Sequence, residues 1–306
     1  MIRSGTAVRP PISRGLSDRR LALLLTLPAA ILLLTFAVYP FVAAAADSLF
    51  RVDFLSGART FLGLENYLLV LSDPEIRAAF GRSFVWTVTN VVIQATTGVG
   101  IALLLNAQLF GQTLARGLVL FPYVVPAIVT ALVFQFMFND VTGLVNYLLV
   151  DTHVVRAPIS FLADPKTVLW TLIAVNCWKY TPFIVIVVLA RLQVVPVELY
   201  DAAAIDGAGA WASFCQVTLP WIMPVLLVAC LLRTIWTAYE FDLPYLLAFG
   251  GPLGASTTVP IEIRTLAFGR QEIGAASALA ACAAILLAAG AYFYLRAYRR
   301  SEERVE

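Results

Sequence analysis

The 306 residues are 60% hydrophobic and 13% charged, with a formal net charge of +2 and a mean hydropathy of +0.85. Charged residues make up about a quarter of an ordinary soluble domain, so this composition excludes one and makes lipid the main solvent. The basic residues sit at the flanks of apolar stretches rather than in one patch, so the net charge says nothing for nucleic acid, and none is expected as a partner.

A bilayer core of about 30 Å needs roughly 20 apolar residues per helix. Six such stretches are predicted, centred near Leu33, Ile93, Ile128, Val185, Leu231 and Ala284. The first, Leu21 to Ala46, carries no charge and is too long for the apolar region of a cleaved signal peptide, about 7 to 15 residues. It is preceded by a polar tail, 1–20, with Pro10-Pro11, expected to be disordered or an interfacial approach. Arg3, Arg9, Arg14, Arg19 and Arg20 lie before the first span, and Arg296, Arg299, Arg300 and Arg304 lie at the end of the last. Positive flanks stay in the cytoplasm, so both termini are expected there, with a membrane domain over 21–296 and a short tail over 297–306. The outer segments also hold Arg51, Arg59, Arg77, Arg82, Arg156, Lys166, Arg264 and Arg270, each offset by nearby acids.

An outer loop at about 47–82 contains Phe61-Leu-Gly-Leu-Glu-Asn-Tyr67, expected as a short interfacial helix with Tyr67 at headgroup level. Spans over 83–106 and 118–138 follow, joined by a short inner loop with Arg116. The third span holds Pro122 and Pro126; proline removes a helical hydrogen bond and survives in lipid only where protein or water satisfies the freed carbonyl, so this helix should kink and face the bundle interior. The outer stretch 139–166 carries His153, the only histidine, read as solvated because imidazole metal sites need converging ligands. The fourth span is expected at 167–192, the fifth at 221–247 and the sixth at 273–294. Cys177, Cys215, Cys230 and Cys282 show no paired spacing and read as small apolar fillers.

Between the fourth and fifth spans, 193–220 is polar and interrupted by glycine: Asp201-Ala202-Ala203, then Asp206-Gly207-Ala208, then Leu219-Pro220. This resembles the cytoplasmic EAA loop of binding-protein-dependent ABC importers, with Asp201 where glutamate is usual. The Phe61–Tyr67 element, Asn176-Cys-Trp-Lys-Tyr-Thr-Pro-Phe183, Leu192-Gln193, Pro196, Phe241-Asp242, Tyr245 and Gly250-Gly251-Pro252 extend the likeness to the carbohydrate-type permeases, above all the first permease of maltose-like and glycerol-phosphate-like systems. Arg191 departs from the family's usual glycine before Leu-Gln.

The resemblance implies an all-α, six-helix, type I importer bundle in a bacterial or archaeal cytoplasmic membrane, paired with a second permease as a heterodimer. It also implies two cytoplasmic ATPase subunits that hold the ATP and Mg, and an extracytoplasmic solute-binding protein. Asp201, Ala202, Ala203, Asp206, Gly207 and Ala208 would then dock on the ATPase, the alanines entering a cleft and Asp201 meeting a basic group. The plain alternative is an ordinary amphipathic connection ending at a C-terminal glycine. The chain has no P-loop of its own: its two lysines, Lys166 and Lys179, stand in Pro-Lys-Thr and Trp-Lys-Tyr rather than after a glycine. No cofactor, metal site or enzymatic motif is expected, and a membrane enzyme would have one histidine and neither HExxH nor GxSxG to work with. Hydropathy alone leaves a channel or secondary transporter open.

Polar residues inside a span are costly and so face a cavity or another helix. Asn176, Lys179, Tyr180 and Phe183 recur at helical spacing on the fourth span, and Arg233, Trp236, Thr237 and Glu240 on the fifth. Mixed aromatics and hydrogen-bonding groups suit a sugar, whose hydroxyls need partners and whose ring faces stack. Such stripes are expected to line a substrate path for a neutral sugar or polyol, with glycerol phosphate or a glycerophosphodiester as the alternative cargo; the other reading is glue between helices. Asn90, Gln94 and Gln135 are further candidates.

Overall fold

The computed structural model describes residues 18–53, 56–107 and 110–302. Arg3, Arg9, Arg14, the Pro10-Pro11 pair and Arg304 lie outside them. The tails expected at 1–20 and 297–306 are thus described only where helices run into them.

Helix α1 (Asp18–Leu33) passes through a π-helical turn (Leu34–Val38) into α2 (Tyr39–Asp47). Pro40 accounts for the widened turn: its ring would strike a carbonyl one turn back, and the Tyr39 N–H instead reaches the Leu34 carbonyl, five residues earlier. None of the apolar window of this helix is buried against the rest of the chain. An antiparallel hairpin follows, β1 (Phe50–Val52) with β2 (Arg59–Phe61), Phe50 opposite Phe61. Next comes α3 (Glu65–Ser72). This is the short helix expected at the Phe61–Tyr67 element, and it is tied to the chain before it: the Tyr67 hydroxyl meets Ser48 Oγ at 2.8 Å, and Asn66 Nδ2 donates to the carbonyls of Ser48 (2.8 Å) and Phe50 (3.0 Å). The motif therefore fastens the outer loop to the end of α2.

Helix α4 (Pro74–Asn106) begins nine residues before the expected 83, since Asp73 caps the N–H groups of Glu75 and Ile76 and Pro74 occupies the first turn. The third expected span is not one helix. It is α5 (Gln112–Val124) and α6 (Ala127–Met137), bent by 97°. Val125 is extended, as a residue before proline prefers, and Pro126 starts the second helix. After α7 (Leu144–Asp151), α8 (Val168–Leu192) runs through the centre as the most buried of the candidate spans.

Helices α9 (Val197–Ile205) and α10 (Ala210–Ser213) form the polar loop; a second π-helical turn (Phe214–Thr218), again just ahead of a proline, leads into α11 (Leu219–Tyr239). The fifth span thus starts before 221 and ends before 247. Helix α12 (Asp242–Ala248) is separate and packs on α6, α13 (Val259–Arg264) ends in a π-helical turn (Thr265–Gly269), and α14 (Ile273–Glu302) carries the sixth span. Among the described residues five helices are long and apolar enough to cross a membrane, or six if α5 and α6 count as one.

The packing core is α4 against α8 with α11 laid across both. Gly98 permits the closest approach: a Cβ there would stand 2.7 Å from Ile184 Cγ2.

Candidate functional site

Where α4, α8 and α11 meet, polar side chains form a buried hydrogen-bonded chain in which one group, Asn176 Nδ2, is left without a hydrogen-bond partner. Gln94, 0% exposed, is its hub. Its Oε1 accepts from Arg233 Nε at 2.8 Å and its Nε2 donates to Asn176 Oδ1 at 3.0 Å. Arg233, 2% exposed, also donates to Thr237 Oγ1 at 3.0 Å and lays its guanidinium 4.4 Å from the Tyr180 ring centre. Asn90 donates to the Trp86 carbonyl and receives the Cys177 thiol, and Trp86 Nε1 donates to the Thr237 carbonyl. Each helix contributes donors that the others accept, as buried polar groups require.

Lys179 has a different task. Its ammonium donates to the Val125 carbonyl, at the C-terminal end of α5 where Pro126 has broken the helix. A cation there neutralises an orphaned carbonyl and the negative end of the helix dipole. Gln135 plays a similar part from α6, donating to the carbonyls of Leu246 and Leu247 at the end of α12.

Beside this network opens a cavity of about 450 Å³. Tyr180, Arg233, Trp236 and Glu240 line it, together with Tyr123, Tyr239, Phe241 and Asp242. Phe183 backs it: its ring lies 5.2 Å from Trp236 and 6.4 Å from Tyr123. Tyr180 Oη donates to Glu240 Oε1 at 3.3 Å. The two expected stripes are therefore sorted by depth. Tyr180, Phe183, Trp236 and Glu240 stand at the cavity, whereas Asn176, Lys179 and Thr237 lie behind it inside the chain, and Arg233 belongs to both layers. Glu240 closes the stripe as the cap of α11: the helix ends at Tyr239 and the chain turns away after Glu240, whose carboxylate still reaches the cavity beside Arg233. Tyr123 and Tyr239 were not among the expected residues; Tyr123 sits between Pro122 and Pro126, in the segment already expected to face inward. The wall can stack on a ring face and both donate to and accept from hydroxyls.

The polar loop ends α9 in a Schellman motif. Gly207 takes φ +76°, its N–H bonds the Ala204 carbonyl, and the Ala208 N–H bonds the Ala203 carbonyl at 2.9 Å. No residue of α9 or α10 is buried, and Ile205 (86% exposed) and Trp211 (77%) project outward. Asp201, Ala202, Asp206 and Gly207 are exposed, with Ala203 and Ala208 half-buried. Two contacts close the base of the loop: Tyr200 Oη meets Thr218 Oγ1 at 2.9 Å within it, and Arg191 on α8 donates to the Trp221 carbonyl on α11 at 3.1 Å and lies over its ring. Arg191 thus ends α8 without the glycine usual in the look-alike family. Among the described residues no group of three or more His, Cys, Asp or Glu is placed to hold a metal ion.

Residues 94–306 match the family described as binding-protein-dependent transport system inner membrane component. The trehalose/maltose transport system permease protein MalF of Thermococcus litoralis is 35% identical over 257 residues, covering 84% of this chain and 85% of that one. The sulfoquinovosyl glycerol transport system permease protein SmoG of Agrobacterium fabrum is 33% identical over 288 residues, with 94% and 93% covered. Among solved structures, a bacterial ABC transporter involved in import of the acidic polysaccharide alginate superposes with a TM-score of 0.78 at 22% identity, over 92% of this chain and 96% of that one. That likeness carries the fold, and the sequence relatives carry the family, which leaves no room for a channel or a secondary transporter. The chain belongs to the binding-protein-dependent transport system inner membrane components and is a permease subunit of an ABC importer, with the ATPase on separate subunits.

Proposed function

We propose that this subunit forms, with a second permease, the translocation path for a neutral sugar or related polyol. An extracytoplasmic solute-binding protein delivers the cargo, and two cytoplasmic ATPase subunits, which hold the ATP and Mg, dock on α9. The chain itself binds no cofactor. Both termini are cytoplasmic, 21–296 is the membrane domain and the loop 193–220 faces the ATPases. In support of a sugar cargo, the relatives named for trehalose/maltose and sulfoquinovosyl glycerol transport align over most of the chain, and in support of a solute-binding partner, a solved neighbour is described as complexed with an alginate pentasaccharide-bound periplasmic protein.

The observation that carries the cargo class is the cavity wall, in which Tyr123, Tyr180, Trp236 and Tyr239 stand beside one cation, Arg233, and two carboxylates, Glu240 and Asp242. Aromatic faces with both charge signs suit an uncharged polyol. Tyr180, Phe183, Trp236 and Glu240 are assigned to the path, with Arg233 held at its edge. Asn176, Lys179 and Thr237 support them from behind. An anionic cargo, such as a glycerol phosphate or glycerophosphodiester, is favoured by two features: among the described residues no salt bridge holds Arg233, and the solved neighbour is described as importing an acidic polysaccharide. Uptake by the reconstituted transporter decides. Trp236→Ala should depress neutral-sugar uptake by tenfold or so, the scale of a lost aromatic contact, while basal ATPase activity persists. Unchanged uptake in this variant removes the cavity from the path, and saturable uptake of a phosphate ester but of no neutral sugar establishes the anionic reading.

A further inference from the structure

At the end of the molecule that carries α9, a second cavity of about 260 Å³ lies between the end of α4, α5 and the last turns of α8. Its walls are aliphatic, from Leu120, Val185, Ile186 and Leu189, and its polar groups are Arg116 and Gln193. Arg116 is poorly satisfied. One terminal nitrogen donates to the Leu105 carbonyl at 3.3 Å, which Gln112 also occupies, while Arg116 Nε is buried with no hydrogen-bond partner. Among the described residues no salt bridge holds it. A guanidinium without an anion beside apolar walls is costly and calls for one. The remainder of the site specifies its kind, because a hydrocarbon-lined slot with the charge at one end matches a molecule with an anionic head and an apolar body. The slot is open to the outside through Ile186, which is 43% exposed, and α5 presents Leu114 and Leu118 to the same surroundings.

We propose that this cavity binds an anionic phospholipid, the phosphodiester on Arg116 and the glycerol and first acyl carbons along Leu120, Ile186 and Leu189. The lipid would come from the leaflet on the α9 side, which is the cytoplasmic leaflet on the orientation proposed above. Basic pockets between spans at that level are where anionic headgroups are held. Such a lipid would join α5 to α8 beside the root of the loop, since Gln193 directly follows α8.

Native mass spectrometry of the complete purified transporter tests this after delipidation and addition of phosphatidylglycerol, phosphatidylcholine or inorganic phosphate. The wild type should retain phosphatidylglycerol about tenfold better than phosphatidylcholine, the scale of one charge-assisted contact. Arg116→Gln should erase the preference and Arg116→Lys should keep part of it. Ile186→Phe, which fills the slot and leaves the charge, should also lose the lipid, so the result does not depend on the folding of one variant. Equal retention in wild type and Arg116→Gln, or no lipid retained by the assembled complex, overturns the proposal. Displacement by millimolar inorganic phosphate overturns it too, as the mark of a free-anion site. Ala208→Cys, in a chain with its four native cysteines replaced by alanine, reports through an impermeant thiol reagent which side carries the loop. A wrong orientation is therefore read separately from an absent lipid.

Discussion

Replacing Gln94 by leucine keeps the volume of the side chain and deletes both of its hydrogen-bonding ends. The change removes the acceptor for Arg233 Nε (2.8 Å) and the donor to Asn176 Oδ1 (3.0 Å), at a position with no exposure to let water substitute. A hydrogen bond to a charged group is worth about 1.5–3 kcal/mol. A neutral pair inside a membrane bundle averages only about 0.6 kcal/mol, because helices apart in lipid also find partners. The charged contact therefore dominates, and Gln94→Leu should destabilise the α4–α8–α11 core by about 2–4 kcal/mol. Unfolding in mixed SDS micelles measures it, and a double-mutant cycle with Arg233→Met isolates the pair, for which the expected coupling is at least about 1.5 kcal/mol. A coupling below about 0.5 kcal/mol, within the range of simple additivity, refutes the idea that Gln94 holds Arg233 in place.

Gly98→Ala puts a Cβ 2.7 Å from Ile184 Cγ2 in a well-packed interface, so it should cost about 1–3 kcal/mol in the same unfolding assay. Gly207 has φ +76° at the end of α9: Gly207→Val should impair transport far more than Gly207→Asn, since asparagine tolerates the left-handed region and a β-branched residue does not, and equal uptake by the two would detach the Schellman turn from coupling. Burial pushes the Glu262 carboxyl on α13 above its ordinary range, opposed by Arg270 at 3.6 Å. A raised folded-state pKa favours the protonated form, so this contribution is full below the unfolded value of about 4.3 and is lost as pH rises through the folded value. Glu262→Gln should accordingly raise thermal stability at pH 8 and gain less than the wild type as pH falls to 5; a lower midpoint at pH 8 would mean that the Arg270 contact outweighs desolvation.

Hydropathy located the spans because lipid demands about 20 apolar residues in a row, but it is silent on what ends a helix. The start of α4 was hidden in a charged stretch, where the signal is the Asp73-Pro74 cap rather than apolar content. Pro126 announced a kink and not its 97°, since proline only removes a bond and extends its predecessor. The angle depends on distant partners, Lys179 on the Val125 carbonyl and α12 under α6. Helical periodicity put Glu240 in line with Arg233, and the two reach the same cavity although α11 ends one residue earlier and Glu240 is its cap. The cost of a buried polar group flagged Asn176 and Thr237 correctly as residues in need of partners. It carried no information on which partners those would be: Gln94 takes Asn176 Oδ1 and Arg233 takes Thr237 Oγ1, while Asn176 Nδ2 has no hydrogen-bond partner within the chain.

The buried network bears on how the loop and the cavity communicate in the proposed mechanism. Helix α9 is reached from α8 through 193–196 and leads into α11 through α10 and the Phe214–Thr218 turn, so both of its ends are continuous with core helices. Arg191 on Trp221 and Tyr200 on Thr218 close the short way between them. A displacement of α9 must then move the adjoining ends of α8 and α11 together or break those contacts. Farther along the same two helices stand Tyr180 and Arg233, stacked on each other at the cavity and tied to α4 through Gln94. Two helices locked at both levels transmit such a movement as a unit, whereas α5 and α6, parted at Val125–Pro126 and held there by Lys179, can change their mutual angle at little cost in lost helical bonds. Opening the cavity is therefore expected to move Tyr123, on the α5 side of that break, relative to Tyr180 and Trp236 on the fixed pair.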